Sequence, residues 1–157
     1  MRKYLIVGAF ALLVIALDQG TKAIALANLT PNVSQDFLGS IVRLYLVHND
    51  SAAFSIGFGQ TWIFTVISSA ALVALIWYLR KLEGISWVVM AGVLMGGIVG
   101  NLIDRLFRAP GFGRGLVVDF IQIPFNFPIF NIADSAIVCI AIAVVIRVLL
   151  GHSIGKR

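Results

Sequence analysis

Four long apolar stretches constrain the fold of this chain more than any other feature of its sequence. A helix needs about 20 residues, rising about 1.5 Å each, to cross the roughly 30 Å of hydrocarbon in a bilayer. No linker, charge block or low-complexity tract separates these stretches. We therefore predict a single domain covering residues 1–157, an all-α membrane protein with four transmembrane helices and a small extracytoplasmic β-element. The predicted spans are Tyr4–Leu26, Trp62–Leu79, Ser86–Ile103 and Asn131–Leu150.

The composition excludes an ordinary soluble protein. Hydrophobic residues make up 60% of the chain and charged residues only 12%, whereas roughly a quarter of the residues in soluble domains are charged. The net charge of +5 does not indicate a nucleic-acid partner, because the basic residues lie mostly at the ends of apolar stretches. The single cysteine, Cys139, lies within the last stretch. We predict that it only packs there, with neither a disulfide nor a cysteine-based metal site.

The N-terminal stretch has some features of a secretory signal. The basic "MRK" precedes an apolar core, and the small residues of "ALAN" resemble a cleavage site. However, Asp18, Gln19 and Lys22 lie between the core and that site. We therefore interpret the stretch as a retained first span.

The positions of the charges predict the orientation of the chain. Short flanks and loops rich in lysine and arginine stay on the cytoplasmic side of a membrane, and this rule places both termini in the cytoplasm. Six of the seven acidic residues then lie towards the outer face. The cytoplasmic basic residues are Arg2, Lys3, Arg80, Lys81, Arg147, Lys156 and Arg157, and the outer acids are Asp18, Asp36, Asp50, Asp104, Asp119 and Asp134.

Two segments between the spans are too short and too broken to cross a membrane. Residues Val42–Val47 alternate between apolar and polar types, which is typical of a half-buried strand, and residues Leu116–Ile123 are also strand-like. Both segments lie on the predicted outer side and form the β-element. We expect Phe112, Phe125 and Phe127 to face lipid headgroups there.

Two aspartates in this outer region are candidates for chemistry. Asp119 interrupts "LVVDFIQI", where aspartate is a poor strand residue; the alternative is an ion pair with Arg105 or Arg114. Asp134 lies near the start of the last span, where the alternative is a capping box with Asn131. Two carboxylates held together at a partly apolar site share a proton, so one can activate water while the other donates to a carbonyl oxygen. This is aspartic-peptidase chemistry, which needs no metal or cofactor.

Other polar residues within the spans have two interpretations each. Asp18 and Lys22 lie one turn apart and either neutralise each other as an ion pair or contribute to the outer site. Asn101, Asp104 and Arg105 end the third span, where the charged residues either mark the interface and snorkel or take part in function. The two histidines lie on opposite sides of the predicted membrane, so no two-histidine metal site is expected.

Five motifs occur in order along the chain: "DQGTK", "NDSAAFS", "GGIVGNLIDR", "VVDF" and "FNIADS". The set resembles the bacterial lipoprotein signal peptidases (signal peptidase II, peptidase family A8), and the resemblance extends from Asp18 to about Ile137. Two departures stand out. Ser51 occupies a position where the family usually has glycine, and the segment 106–116 is longer than is usual. We expect these departures to affect loop geometry, lipid preference and access to the site rather than catalysis.

The resemblance implies an aspartic endopeptidase of the bacterial cytoplasmic (inner) membrane, with its active site at the outer face. Such an enzyme removes the signal peptide from prolipoproteins by cleaving on the amino side of a cysteine that carries diacylglycerol. Asp119 and Asp134 correspond to the catalytic pair, with no cofactor, and the antibiotic globomycin is the implied inhibitor. The implied supporting or substrate-binding residues are Asp18, Lys22, Asn49, Asn101, Asp104, Arg105 and Asn131.

Two other classes of function compete with this interpretation. A small transporter or proton relay would line a pathway with the outer acids and Lys22. It would also need polar residues in the cytoplasmic halves of the spans, whereas Tyr4–Leu17 and Ile137–Ile146 are apolar. A non-catalytic assembly or lipid-binding protein is the third possibility, and it would tolerate the loss of either Asp119 or Asp134.

Overall fold

Four helices dominate the structure, a computed structural model that describes residues 1–50 and 60–154. Within these residues, all four helices are long and apolar enough to cross a membrane, and the predicted four-span membrane fold is confirmed. A short 3₁₀ turn, Leu79–Lys81, follows the second helix. The "NDSAAFS" motif, including Ser51, lies mostly outside the described residues. The helices are α1 (Arg2–Asn28), α2 (Thr61–Tyr78), α3 (Ile85–Phe107) and α4 (Ile132–Leu149).

The helix ends follow from local sequence signals. The α4 helix begins with the predicted capping box, in which Asn131 accepts a hydrogen bond from the Asp134 N–H and donates its own N–H to the Asp134 carboxylate. The α3 helix begins after Gly84, whose φ of 84° is favourable only for glycine. It ends at Phe107, a turn later than predicted. Asp104 and Arg105 therefore lie inside the last turns of α3 rather than beyond its end.

The α3 helix lies between α1 and α4, and its glycines allow the close contacts. A Cβ atom on Gly96 would lie 2.6 Å from the Val14 Cβ on α1, and one on Gly97 would lie 2.8 Å from the Ala133 carbonyl oxygen on α4. Small residues let helix backbones approach closely in membranes, where no hydrophobic effect drives helices together. The glycines of "GGIVGN" therefore allow α3 to pack closely against both neighbouring helices.

Three strands form one antiparallel sheet in the order β1-β2-β3, with β1 at Ser34–Leu38, β2 at Val42–Asn49 and β3 at Val117–Gln122. The two predicted strand segments thus join in a single β-element. Its inner face packs Leu46, Val118 and Phe120 against Ala25 of α1. The sheet therefore covers the end of the bundle where α1 and α3 end and α4 begins.

The opposite end of the bundle is closed by an apolar cluster. Val7, Leu79 and Trp87 are buried there, with Ile154 packed against them. The Lys3 ammonium donates a hydrogen bond to the Arg80 carbonyl oxygen, 3.1 Å away. The start of α1 and the segment after α4 consequently lie at the same end, away from the sheet. Elsewhere in the structure, away from this end of the bundle, the side chains of Phe112, Phe125 and Phe127 are exposed.

Candidate active site

Asp119 and Asp134 meet at the sheet end of the bundle because one asparagine contacts both. Pairing of β3 with β2 sets Asp119 opposite Val47, and the capping box holds Asp134 in the first turn of α4. The Asn131 Nδ2 donates to Asp119 Oδ1 at 2.6 Å, while its Oδ1 accepts from the Asp134 N–H at 2.9 Å. The residue that starts α4 therefore also joins it to β3.

Two further asparagines donate to these carboxylates. The Asn101 Nδ2 donates to Asp134 Oδ1 at 2.7 Å, and the Asn49 Nδ2 donates to Asp119 Oδ2 at 2.8 Å. The orientation of the Asn101 amide follows from Lys22, whose ammonium only donates and lies 3.1 Å from Asn101 Oδ1. The NH₂ group of Asn101 is thereby directed at Asp134.

These contacts decide between the alternative interpretations of the two aspartates. The capping role of Asp134 is confirmed, and its Oδ1 still accepts from Asn101. The interpretation of Asp119 as an ion-pair partner of Arg105 or Arg114 is wrong. Its hydrogen-bond partners are the amides of Asn49 and Asn131, and the ion pairs found among residues 1–50 and 60–154 do not include it.

Beneath the asparagines lies a buried network of charges. The Lys22 Nζ is 2.8 Å from a carboxylate oxygen of Asp18 and 2.8 Å from one of Asp104, and all three side chains are fully buried. The predicted Asp18–Lys22 ion pair is confirmed, with Asp104 as a second partner. Asp104 also pairs with Arg108 at 2.7 Å. The carboxylates of Asp18 and Asp104 are thus balanced by two cations.

The charged residues at the end of α3 are buried in the protein. Asp104 Oδ2 accepts from the backbone N–H of Val118 at 3.1 Å, which attaches β3 to α3. Arg105 is only 9% exposed, and its guanidinium carbon lies 5.6 Å from the centre of the Phe64 ring. The snorkelling interpretation of Asp104 and Arg105 is therefore wrong, because α3 runs further and the following loop folds back over it.

Sequence reasoning missed two residues of this network. The Gln19 amide donates to Asp18, to the Gly100 carbonyl oxygen and to Asp104, all within 3.1 Å. Arg108 donates to Asp104 at 2.7 Å. The Asp104–Arg108 spacing of four residues is a helical ion-pair signal, but it becomes visible only when α3 is extended beyond Ile103.

The environment of Asp119 favours its protonated form. Burial disfavours the charged carboxylate, and the neighbouring charge of Asp134 adds to this, so that the pKa of Asp119 rises to about 7. The hydrogen bonds from Asn49 and Asn131 favour the charged form and only partly oppose the shift. Near neutral pH, the pair can therefore hold one proton between its two carboxylates.

A mostly apolar groove of about 590 Å³ opens beside the two aspartates, between α2 and α4. Cys139 lines this groove with an exposed side chain, and that it only packs there stays a prediction. Among the described residues, no group of three or more histidine, cysteine or acidic side chains is placed to hold a metal ion. The polar residues that line the groove are Asn49, Asn101, Arg105, Asp119, Asp134 and Ser135.

Comparisons with known proteins find relatives over most of the chain. The family model described as Signal peptidase (SPase) II matches residues 10–150. A lipoprotein signal peptidase of Leifsonia xyli subsp. xyli is 47% identical over 133 residues, which are 85% of this chain and 62% of the relative. This chain therefore spans less than two thirds of that relative's length. The lipoprotein signal peptidase of Rhodococcus jostii is 41% identical over 150 residues, which are 96% of this chain and 75% of the relative.

Two solved structures, each described as a bacterial membrane enzyme, share the fold. One has a TM-score of 0.82 and 30% identity over 95% of this chain and 90% of its own. The other has a TM-score of 0.79 and 31% identity over 90% of each chain. The family match covers most of the chain, residues 10–150, and the chain therefore belongs to the signal peptidase II family.

Proposed function

We propose that this protein is an aspartic endopeptidase that removes signal peptides from diacylglyceryl-modified bacterial prolipoproteins. It cleaves on the amino side of the lipidated cysteine, and Asp119 and Asp134 are its catalytic residues. The observation that carries this proposal is that Asn131 donates to both carboxylates beside an apolar groove: its Nδ2 donates to Asp119 and its backbone N–H donates to Asp134. The names of the relatives support the substrate class.

The reaction requires one proton on the pair. The ionised carboxylate removes a proton from a water molecule, and the resulting hydroxide attacks the carbonyl carbon of the scissile peptide. The protonated carboxyl group donates its proton to the carbonyl oxygen, which gives a neutral gem-diol. The carboxyl group that took the water proton then gives it to the nitrogen, while the other carboxylate removes a proton from a gem-diol hydroxyl. The C–N bond breaks, and the pair again holds one proton. Such acid and base roles need carboxylates whose protonation differs at the working pH.

The surrounding polar residues have supporting roles in this proposal. The three asparagines hold the carboxylates at fixed positions through amide donors. The buried ion pairs keep Asn101 correctly oriented from below. Arg105 borders the groove and is placed to bind the substrate backbone. The proposed supporting or substrate-binding residues are therefore Asp18, Lys22, Asn49, Asn101, Asp104, Arg105 and Asn131.

The same proposal includes location and partners. The protein lies in the bacterial inner membrane as one domain of residues 1–157, with both termini in the cytoplasm and the paired aspartates at the outer face. The basic flanks lie at the end away from the sheet, which supports this orientation. The groove between α2 and α4 opens towards lipid, which suits a diacylglyceryl substrate and membrane lipids. It also offers an apolar site for globomycin.

A transporter or proton relay is not favoured by this arrangement. The buried charges described above lie towards the sheet end, whereas the other end of the bundle is closed by an apolar cluster around Val7, Leu79 and Trp87. A pathway through the membrane needs polar groups or water along its whole length. An interfacial enzyme needs them only near the surface where its substrate emerges.

The proposal is tested by changing each aspartate to asparagine separately. Asp119→Asn and Asp134→Asn keep the size of the side chain but cannot hold the shared proton. We expect both variants, reconstituted in lipid, to leave a diacylglyceryl-modified precursor at its full length. Asp36→Asn is the matched control, because Asp36 forms an exposed pair with Arg43 on the sheet. Normal processing by either site variant would exclude the aspartic mechanism.

A further inference from the structure

The α2 helix is attached to the bundle differently from the other three. Within α2, which is described along its whole length, the only buried residues are Thr61 and Thr65. The Thr61 hydroxyl donates to the Arg114 carbonyl oxygen at 3.1 Å, and the Thr65 hydroxyl donates to the Gly113 carbonyl oxygen at 2.8 Å. Both acceptors belong to the loop between α3 and β3. The sheet end of α2 is thus attached by side-chain hydrogen bonds to a loop.

This loop is itself held firmly on α3. The Gly115 N–H donates to the Arg105 carbonyl oxygen at 2.9 Å, and the Leu116 N–H donates to the Ala109 carbonyl oxygen at 3.0 Å. A Cβ atom on Gly115 would collide with the Asp104 carbonyl oxygen, so the loop lies directly against the helix end. The two threonines therefore bond to a fixed support. That support leads directly into β3, which carries Asp119.

The same helix forms one wall of the groove beside the aspartates. Ile67, Ser68 and Ala71 of α2 border the groove, and Cys139 lies on its α4 side. At the other end of the bundle, Leu79 packs into the apolar cluster that follows α2. The wall is therefore attached near both ends, while none of the α2 residues between Thr65 and Leu79 is buried.

We infer that Thr61 and Thr65 are positioning residues. They hold the α2 wall against the loop between α3 and β3, and they thereby set the width of the groove. This inference rests on the proposed function, because the groove is where the lipid-bearing part of the substrate would enter. A wider groove would hold the acyl chains less closely. The threonines would then influence substrate binding and acyl-chain preference, while the aspartates and their asparagine donors would be unchanged.

The structural test measures the position of α2 directly. Spin labels on the native Cys139 and on a Val66→Cys variant report the distance between α4 and α2, because both side chains are exposed. We expect the double variant Thr61→Val and Thr65→Val, which keeps the side-chain shape and removes only the hydroxyl donors, to lengthen and broaden the distance distribution. Ser69→Ala is the matched control, because its hydroxyl bonds only to the Thr65 carbonyl oxygen within α2.

The kinetic test uses the unlabelled proteins and diacylglyceryl peptides of two acyl-chain lengths. Losing a side-chain hydrogen bond inside a membrane protein changes an equilibrium by roughly three- to twenty-fold. We expect KM to rise about three- to ten-fold in the double valine variant, kcat to change less than about two-fold, and the preference between chain lengths to shrink. Serine at both positions keeps the hydroxyl donors, so the double serine variant should restore KM and chain preference.

The outcomes separate this inference from the proposed function. An unchanged distance distribution in the double valine variant would overturn the inference, as would a fall in kcat with KM unchanged. If the unaltered protein fails to cleave the peptides, the proposed function is wrong. In that case the distance measurement alone still decides whether the two threonines hold α2 in place.

Discussion

The Asn131 Nδ2 lies 2.6 Å from Asp119 Oδ1, and the other side of the same amide caps α4. One side chain therefore both starts the helix that carries Asp134 and orients the carboxylate on β3. The two tasks use opposite ends of the amide, because the cap needs an acceptor and Asp119 needs a donor. This division of roles makes it possible to disturb one task while keeping the other.

Replacing Asn131 with aspartate should separate catalysis from folding. The new side chain still offers an oxygen to the Asp134 N–H, and aspartate is as good an N-cap as asparagine. It places a carboxylate where Asp119 now receives a hydrogen bond at 2.6 Å. We expect kcat to fall at least about 100-fold, the size of a disrupted general acid–base step. Because this position is fully buried, the added carboxylate should also lower the thermal unfolding midpoint in detergent, so kcat is measured well below that midpoint, where the variant is folded. Normal kcat would contradict the orienting role of Asn131.

Activity should fall as the pH rises through about 7, because burial and the charge of Asp134 raise the pKa of Asp119 to about that value. Above this pH the pair loses its shared proton and therefore its general acid. At low pH the pair takes up a second proton and therefore loses its general base. The profile of kcat against pH should therefore be bell-shaped, with apparent values that belong to the pair. Constant activity well above pH 7 would contradict proton sharing.

The same pKa shift has a consequence for stability. The folded protein holds the Asp119 proton more tightly than the unfolded chain, whose pKa is near the ordinary 3.8. The contribution of Asp119 to stability is therefore lost as the pH rises from about 4 to about 7. Thermal unfolding in detergent should show this loss in the unaltered protein, and Asp119→Asn should reduce it. An identical pH dependence in both proteins would contradict the shift.

Replacing Lys22 with methionine should destabilise the fold strongly. Its ammonium lies 2.8 Å from both Asp18 and Asp104 in a fully buried site. Removing one partner of a buried ion pair typically costs about 3 to 5 kcal/mol, because uncompensated charge stays buried. Unfolding in mixed micelles measures the loss. In the control Asp36→Asn, an exposed pair is broken, and the expected cost is at most about 1 kcal/mol.

An alanine at Gly96 should separate α3 from α1. The added Cβ atom would lie 2.6 Å from the Val14 Cβ and 2.8 Å from the Ala11 carbonyl oxygen, and the latter belongs to the rigid backbone. Overpacking of this kind typically costs about 1 to 3 kcal/mol. Among the described residues outside the adjoining turns of α1, no atom lies within 4 Å of a Cβ added at Gly8, so Gly8→Ala is the control. Equal unfolding midpoints for the two variants would contradict the close packing.

Much of the fold was predictable because its signals are local. The four spans follow from the length of the apolar stretches, and the capping box follows from the Asn131–Asp134 spacing of three residues. The Asp18–Lys22 pair follows in the same way from a spacing of one turn. The catalytic candidates were also indicated locally, since Asp119 interrupts a strand-like segment and Asp134 is an acidic residue near the start of an apolar span. Their assignment as a catalytic pair stays a prediction.

The tertiary structure decided which of these residues contact one another. The Asp18 carboxylate accepts from the backbone N–H of Ala133, 115 positions away, and Thr65 bonds to Gly113, 48 positions away. Spacing along a chain determines contacts within one helix or strand, but contacts between elements depend on how side chains pack in three dimensions. By itself, the sequence determined that the chain crosses a membrane and carries acids near one face. Only packing decided that Asn131 joins Asp119 to Asp134, and that Lys22 lies between two buried carboxylates.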